Sequence, residues 1–107
     1  MLAKFPMNSK AEKGITGEYY ARKYLESQGY SFITSNFRTR FGEIDLIFTH
    51  KNWIVFVEVK LRTSLAYGSP LESVTHQKLI KLKKALHEFL ATHQNYKKFV
   101  PTIEVFG

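Results

Sequence analysis

Residues 42–62, GEIDLIFTHKNWIVFVEVKLR, contain two runs typical of β-strands, joined by a short polar break. Each run carries charge where a packed strand normally carries an aliphatic side chain: Asp45 in the first run, and Glu58 and Lys60 in the second. Removing an ion from water is costly unless a partner or a metal compensates for the lost hydration. This stretch therefore calls for a chemical explanation.

The register of the two runs decides whether their acids meet. A two-residue hairpin turn at Lys51 and Asn52 would place Asp45 opposite Glu58. A three-residue loop would place Asp45 opposite Val57 instead, and, without a bulge, on the other face of the sheet from Glu58. A shared acidic site therefore predicts the two-residue turn or a bulge.

Strict alternation along the runs also predicts which side chains share a face. In the second run, one face should carry Trp53, Val55, Val57 and Val59, and the other Ile54, Phe56, Glu58 and Lys60. In the first run, one face should carry Glu43, Asp45 and Ile47, and the other Ile44, Leu46 and Phe48.

Helical and turn signals outside this stretch predict two helices and two further strands. We expect a helix over 10–28, with Gly29 just past its end, and a second helix from 75 or 76 to 93. Strands are expected over 30–35, 43–49, 53–61 and 99–106, with Pro101 favouring a sheet edge for the last. Residues 36–42 should form a basic, aromatic loop able to touch phosphates, or else a hairpin arm that is merely solvated, and residues 61–73 should be mostly a second loop.

Glu18 lies in the middle of the apolar side of the first predicted helix. One interpretation is an exposed ion pair with Arg22, four residues further on, worth a few tenths of a kcal/mol. The other is that the helix approaches the sheet closely and Glu18 reaches a shared site. The helix alone leaves both interpretations open.

Composition limits the classes of partner and metal. The 107 residues are expected to form a single domain over 1–107, and 16 Lys and Arg against 9 Asp and Glu give a net charge of +7. This imbalance indicates a polyanionic partner such as nucleic acid, or else a merely solvated basic surface. Cysteine is absent, which excludes disulfides and thiolate metal sites.

Targeting and membrane signals are missing from this sequence. Its longest unbroken apolar run is 53–57, far short of the roughly 20 residues of a membrane helix. The first ten residues lack the apolar segment of a signal peptide. We therefore expect a cytoplasmic protein with no membrane partner.

Asp45, Glu58 and Lys60 form the pattern D, twelve residues, E-x-K. Two adjacent carboxylates repel unless a cation lies between them, and Mg²⁺ or Mn²⁺ prefers oxygen ligands. Such an ion would also acidify a bound water and stabilise charge on a phosphate under attack, while Lys60 could orient the water or offset charge. A purely structural charge pair remains the alternative.

The segments GITGEYYARKYLESQGY, SNFRTRFGEIDLIF, FVEVKLR and YGSPLESV, followed by a lysine-bearing helix, resemble the YraN-like family of small bacterial proteins. That family is placed in the PD-(D/E)xK nuclease superfamily and is similar to archaeal Holliday-junction resolvases. The resemblance covers about residues 14–90. It implies an α/β, restriction-endonuclease-like core of order α-β-β-β-α-β with a mixed central sheet and flanking helices.

The resemblance also implies roles for individual residues. Asp45 and Glu58 would be the metal carboxylates, with the backbone carbonyl of Val59 as a further ligand, and Lys60 the catalytic lysine. Glu18 would be the acid on the helix that completes the site. Nucleic-acid contacts are expected from Arg38, Arg40, Arg62, Gln77, Lys78 and Lys81, of which Gln77 or Lys78 matches a polar position that often contacts the site.

The function expected from these residues is that of a divalent-metal-dependent DNA endonuclease, with branched or damaged DNA as candidate substrates. Two alternatives remain: a nucleic-acid-binding module that does not cleave, and a basic protein-interaction domain whose acids are structural. Resolvase-like relatives act as dimers because a four-way junction has two symmetric cleavage points, so a homodimer is compatible with this sequence.

Overall fold

A computed structural model describes residues 10–60 and 75–107 of the chain. The elements follow the order α1 (Lys10–Ser27), β1 (Ser31–Thr39), β2 (Gly42–His50), β3 (Trp53–Val59), α2 (His76–Thr92), a 3₁₀ turn (Gln94–Tyr96) and β4 (Val100–Phe106). This is the α-β-β-β-α-β order expected from the sequence. The predicted loop over 61–73, and Arg62 within it, lie outside the described residues.

The four strands form one mixed sheet in the order β1-β2-β3-β4. The β1–β2 and β2–β3 pairs are antiparallel, while β3 and β4 are parallel. Parallel neighbours need a crossover connection, and α2 lies within the connection that joins these two. Pro101 lies in β4 at the edge of the sheet, as predicted, where its missing N–H leaves no ladder bond unmade.

Each face of the sheet packs against one helix. On one face, α2 contributes Ala85, Leu86 and Phe89 to a core with Ile44, Ile47, Ile54 and Phe56. On the other, α1 contributes Ala21 and Leu25 to a core with Leu46, Phe48, Val55 and Val57. The strands are therefore covered on both sides, which explains their dense aliphatic runs.

The β2–β3 hairpin has the predicted two-residue turn. His50 pairs with Trp53, and the register continues without a shift to Leu46 and Val57. Lys51 has a φ of +57°, the left-handed conformation that short hairpin turns require. Positions 45 and 58 are the next opposite pair in this register.

The prediction of a loop over 36–42 is wrong. β1 continues to Thr39, and only Arg40 and Phe41 form the turn into β2. Asn36 has a φ of +52°, a left-handed conformation that asparagine tolerates better than most residues. The strand can therefore pass through this irregularity, and Phe37 packs edge-on against Phe89 with ring centroids 5.1 Å apart.

The predicted alternation of side chains between the two faces of the sheet also breaks at one position in β2. Ile44 belongs to the same core as Ile47, although their spacing should place them on opposite faces. The pairs on either side of the break are Phe37 with Ile44 and Ser35 with Leu46, so the break lies at Asp45, opposite the left-handed Asn36.

The end of α1 and the start of α2 agree closely with the boundaries expected from the sequence. Gly29 follows α1 with a φ of +93°, the conformation expected just past a helix end. Thr75 caps α2 by accepting a hydrogen bond from the Lys78 N–H at 3.1 Å. Neither of these two described helices is long and apolar enough to cross a membrane.

The left-handed conformation of Lys51 predicts how substitutions at this position change the free energy of unfolding. Lys51→Val should lower the free energy of unfolding by about 1–2 kcal/mol, because a β-branched side chain crowds the backbone at positive φ. Lys51→Asn is the matched control and should preserve stability. Urea unfolding of the three proteins tests this, and a Lys51→Val variant as stable as wild type would contradict the turn geometry.

Candidate functional site

The candidate site lies where β2 and β3 cease to pair. The last backbone pair is Leu46 with Val57. Beyond it, Asp45 Oδ2 accepts a hydrogen bond from the Val59 N–H at 2.8 Å. A side chain therefore continues the connection between the strands, and it fixes the Asp45 carboxylate next to the end of β3.

Glu58 is the buried acid of the site, with 5% of its surface exposed. Its Oε1 atom lies 3.6 Å from Lys60 Nζ and 3.6 Å from Lys78 Nζ. Its Oε2 atom is buried and has no hydrogen-bond partner among residues 10–60 and 75–107. Both lysines therefore approach one oxygen and leave the other uncompensated within the described residues.

Burial and repulsion from a neighbouring carboxylate raise the pKa of both sheet carboxyls. Desolvation is the main cause of the raised pKa of Glu58, followed by the negative charge of Asp45, while Lys78 and Lys60 act in the opposite direction. Desolvation likewise raises the pKa of Asp45; the hydrogen bond from Val59 opposes this rise, and the charge of Glu43 adds to it.

Glu18 approaches this group from α1. Desolvation and then repulsion from Asp45 raise its pKa, while a hydrogen bond with the Asn36 side chain lowers it. The alternative ion pair with Arg22 is not what the structure shows, because Arg22 Nε lies 3.6 Å from Glu26 and its guanidinium lies 3.6 Å from the centre of the Phe32 ring. Glu18 on α1 therefore interacts electrostatically with both Asp45 on β2 and Glu58 on β3.

The donor set fits a hard divalent cation held by two carboxylates. Mg²⁺ is commonly bound by one or two carboxylates and keeps several waters. Asp45 and the buried Glu58 supply such a pair, and Val59, as the last residue of β3, brings its carbonyl to the same strand end. No three His, Asp or Glu side chains in the described parts of the chain form a metal-binding group.

The predicted nucleic-acid contacts separate into two groups. Lys78 lies inside the site through its contact with Glu58, whereas Gln77 and Lys81 are exposed on α2. Arg38 and Arg40 extend from the β1–β2 turn region with side chains 86% and 81% exposed. Arg38 donates a hydrogen bond to Glu43 at 3.0 Å.

One feature was missed by sequence reasoning, and one was left open. The missed feature is Asn36, which breaks the strand alternation and whose side chain lowers the pKa of Glu18. An asparagine within a strand-like run is the signal that could have found it, because asparagine is enriched at positive φ. The open choice was between Gln77 and Lys78, and the structure places Lys78 beside Glu58.

The chain is similar to members of one protein family. The family model "Uncharacterised protein family UPF0102" matches residues 17–105. A UPF0102 protein of Natranaerobius thermophilus is 45% identical over 102 residues, which are 94% of this chain and 85% of the relative. A UPF0102 protein of Caldanaerobacter subterraneus subsp. tengcongensis is 41% identical over 97 residues, 91% of this chain and 79% of the relative.

The raised pKa of Glu58 predicts how stability depends on pH without divalent cations. For an acid with a raised folded-state pKa, the contribution to stability is present below the unfolded-state pKa, near 4, and is lost as the pH rises through the folded-state value. The free energy of unfolding of the wild type should therefore fall from about pH 4 towards neutrality. Glu58→Gln should remove part of this fall and be more stable than wild type at pH 7.

Urea unfolding between pH 4 and pH 8 in the presence of EDTA measures this difference. Glu26→Gln, in the Arg22–Glu26 ion pair of α1, is the matched control. Parallel curves for the wild type and Glu58→Gln would contradict the prediction.

Proposed function

The chain belongs to the UPF0102 family, the YraN-like family that its sequence resembles, and we propose that it is a divalent-metal-dependent DNA endonuclease that hydrolyses phosphodiester bonds. The observation that carries the proposal is the buried Glu58 Oε2 atom, which is unpartnered within the described residues and lies in the carboxyl group that Asp45 repels. A buried, uncompensated carboxylate oxygen is strongly disfavoured unless a cation joins it.

The proposal assigns metal binding to the end of β3. Asp45, Glu58 and the Val59 carbonyl would hold Mg²⁺ or Mn²⁺. When bound, such an ion supplies Lewis-acid stabilisation of the phosphate and lowers the pKa of a bound water. Glu18 adds negative charge beside Asp45 and would strengthen the attraction for the cation without binding it directly.

Lys60 is the proposed catalytic lysine. Its Nζ lies 3.6 Å from Glu58 Oε1, so it is held beside the carboxylate pair. An ammonium at this place can orient the attacking water and offset negative charge that develops on the phosphate. Lys78, at the same distance from the same oxygen, holds Glu58 from the side of α2.

DNA is the proposed substrate, with branched or damaged forms as the candidates. The net charge of +7 and the exposed Arg38, Arg40, Gln77 and Lys81 side chains suit a polyanion. Bacterial DNA as substrate implies the cytoplasmic location expected from the sequence. A homodimer would present two sites to a four-way junction. The restriction-endonuclease-like fold belongs to this proposal and is supported by the order of helices and strands.

One observation favours a second candidate, a nucleic-acid-binding module that does not cleave. Two lysines already balance one oxygen of Glu58. The same two ion pairs are what a basic protein-interaction domain with structural acids would show. Metal binding and cleavage separate these candidates from an endonuclease.

Metal binding should be visible as stabilisation. Mn²⁺ at about 100 times its Kd should raise the free energy of unfolding of the wild type by about 2.7 kcal/mol, since it binds the folded state alone. Asp45→Asn and Glu58→Gln should lose this gain, whereas Glu26→Gln should keep it. Thermal unfolding over an Mn²⁺ titration measures the effect, and equal stabilisation of all four proteins would contradict binding at this site.

Cleavage should depend on the metal and on both charged residues. With Mg²⁺ or Mn²⁺, wild type should cut labelled duplex, single-stranded or four-way-junction DNA, and Asp45→Asn and Lys60→Ala should each cut at least about 100-fold more slowly. Lys98→Ala, at an exposed position between the 3₁₀ turn and β4, is the matched control for lost positive charge.

Equal residual activity in Asp45→Asn and Lys60→Ala would reveal a contaminating nuclease. Tight, salt-sensitive DNA binding by a wild type that cuts none of the three substrates would support the non-cleaving module instead.

A further inference from the structure

A second concave surface lies between the β1–β2 turn and α2. Its open cavity of about 480 Å³ is lined by Arg40, Phe41, Lys84, His87, Glu88 and Ala91. None of these residues belongs to the group around Asp45 and Glu58. The cavity is therefore a separate feature, built from the β1–β2 turn and a later part of α2 than the turn that carries Lys78.

The two cations of this cavity, Arg40 and Lys84, both lie close to the Phe41 ring. The Arg40 guanidinium lies 4.9 Å from the centre of the Phe41 ring, and Lys84 Nζ lies 5.4 Å from it. Both distances are within the range of cation–π attraction. Because Phe41 is only partly exposed and already faces two cations, its ring positions charge and is poorly available for stacking against a base.

The charge balance of the cavity favours an anionic ligand. Glu88 is the one acid among its lining residues, and its Oε1 atom lies 3.9 Å from Arg40 Nε, beyond hydrogen-bond distance. An exposed ion pair of this kind contributes about 0–1 kcal/mol. A phosphate, which accepts charge-assisted hydrogen bonds from both cations, can therefore replace Glu88 as the partner of Arg40.

The position of Lys84 on α2 relates this cavity to the carboxylate site. Lys78 reaches Glu58, and Lys84 lies six residues further along the same helix. At 1.5 Å per residue the two lysines are separated by about 9 Å along the helix axis. At 100° per residue the two lysines also lie about 120° apart around the helix, so they can contact different phosphates of one backbone.

We propose that Arg40 and Lys84, positioned by Phe41, form a phosphate-binding subsite that holds the DNA backbone at a fixed distance from the phosphate at the Asp45–Glu58 site. The subsite rests on the proposed function for its ligand. It would fix the register of the strand, because a backbone contact at a set distance determines which phosphate reaches the carboxylates.

Binding in EDTA tests the subsite without cleavage. The Kd of a short labelled duplex is measured over a series of salt concentrations for wild type, Lys84→Ala and Arg40→Ala, after thermal unfolding has shown that each variant is folded. Each variant should bind several-fold more weakly, with a salt slope reduced by about one, as expected for one lost phosphate contact. Lys98→Ala should retain the wild-type slope.

Glu88→Gln gives a test of opposite sign. Removing this carboxylate frees Arg40 and deletes a negative charge next to the phosphate, so the duplex should bind more tightly than to wild type. The subsite would be overturned if Lys84→Ala and Arg40→Ala both showed the same salt dependence of duplex binding as wild type. Weaker duplex binding by Glu88→Gln would also overturn it.

Inorganic tripolyphosphate distinguishes a DNA phosphate from a free phosphate ligand. If Lys84→Ala weakens tripolyphosphate binding in calorimetry but leaves duplex affinity and slope unchanged, the DNA assignment is overturned. On a DNA that wild type cuts, an uncharged methylphosphonate is placed at each phosphate around the cut in turn. At one position away from the cut it should weaken binding to wild type and leave Lys84→Ala unaffected; the absence of any such position would overturn the subsite.

The two proposals fail in distinguishable ways. Reduced slopes in Lys84→Ala and Arg40→Ala, with no cleavage by wild type, would support the subsite and reject the endonuclease. Unchanged slopes with metal-dependent cleavage would reject the subsite alone.

Discussion

The hydrogen bond from the Val59 N–H to Asp45 Oδ2 is the interaction on which the candidate site depends. Backbone pairing between β2 and β3 ends at Leu46 and Val57, so this 2.8 Å bond joins the strands at the point where the ladder no longer does. It places one carboxylate at the end of β3 next to the buried Glu58. Without it, the two acids could separate and relieve their repulsion.

The same arrangement is costly to the fold. Burial raises the pKa of Asp45, Glu58 and Glu18, which means that the folded chain holds their charges less readily than water does. Lys60 and Lys78 offset part of this penalty from the two sides of Glu58, one from its own strand and one from α2. Buried groups that oppose stability in this way are more common at functional sites than elsewhere.

One helix connects the site with the basic surface of the protein. The face of α2 that packs on the sheet carries Leu82, Ala85, Leu86 and Phe89. Lys78, at its first turn, points to Glu58, while Lys81 and Lys84 are exposed on another face. Packing of the apolar stripe thus fixes where all three lysines lie relative to the carboxylates, and it sets the spacing on which the proposed phosphate subsite depends.

The sequence by itself determined the order of helices and strands, because side-chain periods of 3.6 and two residues are local signals, and it reduced the β2–β3 register to two possibilities, one of which brings Asp45 opposite Glu58. Only the tertiary structure decided that β1 continues through Asn36 and that the alternation breaks at Asp45. A left-handed residue within a strand is disfavoured locally and becomes stable when distant packing, here Phe37 on Phe89, compensates for it.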